Sequence, residues 1–76
     1  MSRSPSHYRV RVRNLNDLRR GDQVEAMIRS VVHHRGKVLD LAPGLGAVWI
    51  RTDAGRRALI HTDEYRLWQV LPAEAG

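Results

Sequence analysis

The chain has no cysteine and no phenylalanine among its 76 residues, and only three prolines. Without cysteine, disulfides and thiolate metal sites are both excluded, so apolar packing and backbone pairing must hold a short chain together. Surface-to-volume scaling lets a domain of this size bury only about 60% of the area that its unfolded form exposes. Without phenylalanine, the large core candidates reduce to two tryptophans, two tyrosines and the Val, Leu and Ile positions, a set that suits a compact β-rich domain. No apolar run approaches the ~18 residues of a membrane span, and the opening MSRSPS lacks the apolar segment of a secretory signal. A cytoplasmic setting with no membrane contact is therefore expected.

Acidic residues are scarce in one place above all. Residues 1–20 hold Arg3, Arg9, Arg11, Arg13, Arg19 and Arg20 against Asp17, which accounts for the whole formal charge of +5. Residues 21–76 hold basic and acidic groups in equal number. Clustered charge of this kind argues for a polyanionic partner better than a high isoelectric point spread over the surface does.

Period-2 alternation in HYRVRVR, residues 7–13, predicts a strand with Tyr8, Val10 and Val12 on one face and His7, Arg9, Arg11 and Arg13 on the other. Asn14–Asp22 carries turn residues, with Leu15 and Leu18 expected to tuck into the core. The segment DQVEAMIRSVVHHRG has two readings. As a helix over about 23–35 it offers Asp22 and Glu25 in capping-box spacing, a Glu25/Arg29 pair and Gly36 as a stop. As a strand it places Val24, Ala26, Ile28 and Val32 on one face, interrupted by Ser30, with Met27 and Val31 on the other. Periodicity favours the helix, while the β-branched residues and the preceding turn favour the strand.

Further on, KVLDL (37–41) reads as a short strand and Pro43-Gly44 as the centre of a type II turn. AVWIRT (47–52) and RRALIH (56–61) flank Asp53-Ala54-Gly55, which predicts a hairpin with a three-residue loop and Gly55 in the left-handed region. Residues 62–65 read as a tight or 3₁₀ turn, and RLWQVL (66–71) as a closing strand. Residues 1–6 and 72–76 read as flexible tails around a single domain over 7–71.

LRRGDQV, HHRGKVLDL, GAVWIRTDAGRRALI and HTDEYRLWQV, in that order, resemble the bacterial Src-homology-3-like small barrels of the KOW and Tudor kind. Gly21-Asp22 with Val24 is similar to their first-strand entry, Gly36-Lys37-Val38 to their Gly-x-Val turn, and the DEY turn to the 3₁₀ segment before their last strand. The resemblance spans roughly residues 15–71 and implies a mainly β fold, a small barrel of about five strands to which residues 7–13 add one at the N-terminus. Residues 29–35 would then form an extended hairpin or loop. An α+β sheet carrying the helix at 23–35 is the alternative.

Catalysis has little to work with. Cysteine is absent, the serines at 2, 4 and 6 lie in the expected tail, and Ser30 has no partner in sequence. His33 and His34 are adjacent, so they diverge on either a strand or a helix, and His61 with Asp63 suits turn hydrogen bonding. Neither a metal nor a cofactor is expected. APGLG (42–46) lacks the Lys-Ser/Thr and following helix of a phosphate cradle.

What remains is binding. If Val48 and Ile50 face the core, Trp49 and Arg51 face away from it, and Arg57 and His61 can join them from the paired strand. Trp68 and Tyr65 are assigned to the core. The expected site is a nucleic-acid-binding surface, for DNA or RNA, made by Arg9, Arg11, Arg13, Arg19 and Arg20, with Trp49, Arg51 and Arg57 as a secondary surface. The alternative is a protein-interaction domain in which strand 7–13 pairs with a partner or with a second copy.

Overall fold

The computed structural model describes residues 7–72, so both expected tails, apart from Pro72, lie outside the described residues. Six strands form one antiparallel sheet: β1 (His7–Val12), β2 (Gln23–Ile28), β3 (Val31–Ala42), β4 (Ala47–Thr52), β5 (Arg57–His61) and β6 (Arg66–Pro72). Their order across the sheet is β1-β6-β2-β3-β4-β5. Strands β2 to β5 thus pair consecutively, β6 returns beside β2, and β1 is appended outside β6. The mainly β architecture with an added N-terminal strand is the observed one, as an open sheet whose two edges are β1 and β5. No helix among the described residues is long and apolar enough to cross a membrane.

The helix at 23–35 is replaced by the β2/β3 hairpin. Ile28 pairs with Val31 across a two-residue turn in which Arg29 and Ser30 both have positive φ, 50° and 69°. Such a turn matches the twist of a hairpin, but it is normally built from Asn-Gly or Asp-Gly. A bulge follows: Ala26 opposes His34 and Met27 opposes Val32, leaving His33 as the extra residue. The bulge breaks the alternation and imitates a helical period. Strand β3 then runs on to Ala42, far longer than the 37–41 segment expected, and residues 29–35 form the extended hairpin, with Arg29-Ser30 as its turn and 31–35 as the start of β3. His34 Nε2 lies 3.3 Å from the Tyr65 hydroxyl.

Three other details differ from expectation. Pro43–Leu45 is a 3₁₀ turn, and the left-handed residue is Gly46 (φ 63°), not Gly44, so the type II turn is not formed. Pro72 belongs to β6, paired with His7. Gly36 ends no helix; it lies within β3, opposite Thr52. The Asp53-Ala54-Gly55 loop is as expected, with Gly55 at φ 83° and its N–H donating to Thr52 O at 2.8 Å.

The core is Leu15, Leu18, Val24, Ala26, Val38, Val48, Ile50, Ile60 and Leu67, with Val12, Leu41, Ala58 and Tyr65 packed on it. All the strands that contribute show one face to this core, and the linker between β1 and β2 supplies the two leucines, as its turn residues allow. Strand β1 reaches the core only through Val12, which opposes Leu67. Tyr8 and Val10 are exposed, contrary to the half-buried face expected, because an edge strand outside β6 overhangs so small a core.

Gly36 fixes how closely β3 and β4 approach. A β-carbon there would overlap the Arg51 carbonyl oxygen and stand 2.7 Å from its carbon and 2.8 Å from Thr52 Cα. These are backbone atoms held by the sheet, so they cannot move aside cheaply. Gly36→Ala is expected to cost about 2–3 kcal/mol, measured by urea denaturation, with the disturbance centred on the β3/β4 pair in amide chemical shifts.

Candidate functional site

Residues directly opposed in an antiparallel sheet share a face, and successive residues alternate between faces. Following the pairing across all six strands gives one row on the face away from the core: Arg9, Val70, Gln23, Lys37, Arg51 and Arg57. A second row beside it is Arg11, Trp68, Glu25 and Arg35. On the other side, a bulge after Val38 shifts Asp40 into register with Trp49, which opposes Leu59. His61 falls on the same face, opposite Ala47. The outer face thus gathers Arg9, Arg11, Arg35, Lys37, Arg51 and Arg57 against two carboxylates, Glu25 and Asp40.

Glu25 is the more enclosed of the two. Its side chain is 6% exposed and lies between two half-exposed arginines: Arg35 Nε donates to Oε2 at 2.8 Å, and Arg9 Nε stands 2.7 Å from Oε1. The Arg9 contact is a charge pair without hydrogen-bond alignment, so Oε1 accepts no well-directed bond from the described residues. The helical Glu25/Arg29 pair expected from spacing does not exist, because Arg29 sits in the hairpin turn. Arg11 lies over Trp68, 5.9 Å from the ring centroid, with its Nε buried and unbonded. Trp68 therefore belongs to the outer face and not to the core.

At the other end, Arg57 lies over Trp49, 5.2 Å from the ring centroid. Trp49 is 37% exposed and Leu59 40%. Strand β1 does not cover Trp49, since it lies at the opposite edge of the sheet. Asp40 accepts from Leu41 N–H at 2.9 Å and from Arg20 Nη2 at 3.2 Å. The Leu41 N–H is the main cause holding the Asp40 carboxyl below its ordinary value of 3.8, with Arg20 and then Arg57 adding to it. Lys37 and Arg51 have no carboxylate partner among the described residues.

Of the residues expected at the site, Arg9, Arg11, Trp49, Arg51 and Arg57 come together on this face. Arg20 reaches it only at the Asp40 end. Arg13 lies just past β1 and lines a shallow groove with Asn14, Pro43 and Thr62. Arg19 is in the turn before β2, where its backbone N–H donates to Asp22 Oδ2 at 2.9 Å. Sequence reasoning missed Lys37, Arg35, Glu25 and Trp68 as members of the face. The Arg35-Gly36-Lys37 alternation is the available signal, hidden because it is split between a hairpin or loop at 29–35 and a strand that begins at 37.

Comparison with protein-family models, curated proteins and solved structures returns no match for this chain. The functional reading therefore rests on the geometry of the face.

Proposed function

We propose that this chain is a small non-enzymatic nucleic-acid-binding module that holds the phosphate backbone on the outer face of its sheet. The observation that carries the proposal is the direct opposition of Lys37, Arg51 and Arg57 on three neighbouring strands. At sheet spacing these positions are about 4.8 Å apart, and like charges directly opposite one another destabilise a sheet. Stability gives no reason for such a row, whereas a polyanion lying across the strands relieves the repulsion. Arginine adds a planar fork that matches phosphate oxygens in bidentate fashion.

The weighting of the two surfaces is reversed from the sequence expectation. Arg9 is engaged by Glu25 and Arg20 by Asp40, so the N-terminal arginines flank the contact while Lys37, Arg51 and Arg57 form its centre. Binding of labelled oligonucleotides followed by fluorescence anisotropy over about 50–200 mM salt tests this. The logarithm of the affinity is expected to fall linearly with that of the salt concentration, with a slope of about −2 or steeper for three or more phosphates neutralised. Affinity that does not move with salt, or no binding to DNA or RNA, overturns the proposal.

One observation favours the alternative. Strand β1 is a sheet edge with exposed Tyr8 and Val10, and an added strand from a partner would pair there. Pairing between two copies would set arginine rows side by side, which counts against self-association. Sedimentation at increasing protein concentration tests the self-pairing form, since the binding module remains a monomer.

A further inference from the structure

We infer that the strand held on this face is single, with one unpaired base stacked on Trp49 and its flanking phosphates on Arg51 and Arg57. The inference rests on the phosphate-binding reading above and goes further by naming the form of the nucleic acid.

Trp49 is the wrong residue for a wet sheet face that only binds phosphates. It is a large apolar ring of a type usually buried, and its cross-strand partner on β5 is Leu59, also exposed. Together they form an apolar island within the cationic face, two residues along the strands from the Lys37–Arg51–Arg57 row. A duplex turns its base faces inward and offers this island nothing. A single strand offers a π-face with every nucleotide, and base-on-indole stacking tolerates any sequence.

Arg57 gives the site a way to exchange partners. In the free chain its guanidinium occupies the indole face, close enough to Asp40 to help lower the carboxyl's pKa. Stacking of a base on an aromatic ring is worth more than an exposed cation–π contact. The base therefore displaces the guanidinium, which turns outward to the adjoining phosphate. Asp40 opposes this little, because Arg20 and the Leu41 N–H already balance its charge. Trp68 lacks the same freedom: it is partly buried, and the Arg11 Nε over it is buried as well.

The test compares three probes of equal length: an oligothymidylate, an abasic phosphodiester strand and a duplex. Wild type is expected to bind the oligothymidylate about 5- to 100-fold more tightly than the abasic strand. Trp49→Ala should bring the ratio of oligothymidylate to abasic affinity, read within the variant, close to one, and Trp49→Phe should keep most of the wild-type ratio. Because Trp49 lies on the outer face, circular dichroism should show both variants folded; the abasic comparison within wild type needs no variant at all. Equal affinity for the oligothymidylate and the abasic strand, or tighter binding of the duplex, overturns the inference while the phosphate reading stands. Failure of all three probes to bind overturns both.

Discussion

A chain with Lys37, Arg51 and Arg57 all changed to glutamine is expected to bind oligonucleotides about 100-fold more weakly at about 0.1 M salt than the wild type. The figure follows from counterion release: three phosphate contacts on a single strand contribute a slope of about −2, which at tenfold below molar salt is two decades of affinity. The salt dependence of what remains should be shallower by the same amount. Folding stability should stay equal or rise by a few tenths of a kcal/mol, because directly opposed like charges are removed while the exposed Arg57–Trp49 contact is lost. That pairing of weaker binding with equal or greater stability is what separates a contact surface from a structural one. The comparison variant changes Arg9, Arg11 and Arg13 to glutamine. Its loss of binding should be smaller, since Arg9 is already held by Glu25 and the Arg11 Nε is buried. If both triple variants lose affinity equally, the centre of the contact is not on β3–β5.

The pairing of Arg9 and Arg20 with carboxylates shows what charge counting in a sequence can and cannot see. The excess of arginine in residues 1–20 is real, but a sum of charges does not say which are paired. Glu25 neutralises Arg9 from 16 positions away in the chain, and Asp40 meets Arg20 from 20. The first encounter depends on strand order, which puts β6 between β1 and β2, and the second on the turn before β2 lying beside β3, where the Gly21 N–H donates to Val38 O. Where local chemistry determines local structure, sequence and structure agree. Asp53-Ala54-Gly55 specifies its own loop, and from the hairpin it makes, the alternation Val48-Trp49-Ile50-Arg51 correctly puts Trp49 and Arg51 outward. The β2/β3 hairpin is legible only as one of two open readings, for two physical reasons: its turn uses Arg29-Ser30 at positive φ in place of Asn-Gly, and the His33 bulge shifts the alternation by one. Without the register of that hairpin, the Arg35 and Lys37 side chains have no face to be assigned to.

Replacing Arg9 and Arg35 together with methionine should destabilise the chain by about 3–5 kcal/mol, because a carboxylate 6% exposed would be left without either of its cations. The whole stability of a 76-residue domain is about 4–11 kcal/mol, so this is a large part of it. The melting temperature should fall by more than about 10 °C. Glu25→Gln in the otherwise native chain should cost less, since Arg9 and Arg35 are half exposed and water can take over their guanidinium groups. Adding Glu25→Met to the double variant should recover most of the loss, as a buried charge cluster replaced whole by apolar groups of similar volume is often neutral. A double variant as stable as the wild type would mean that Glu25 does not depend on the two arginines. Amide hydrogen exchange locates the effect. Arg9 on β1 reaches over β6 to Glu25 on β2, and β1 otherwise meets the core only through Val12. Exchange should therefore rise first and furthest in the β1 amides that pair with β6, because the arginine that reads as a ligand contact in the sequence is also what anchors the appended strand.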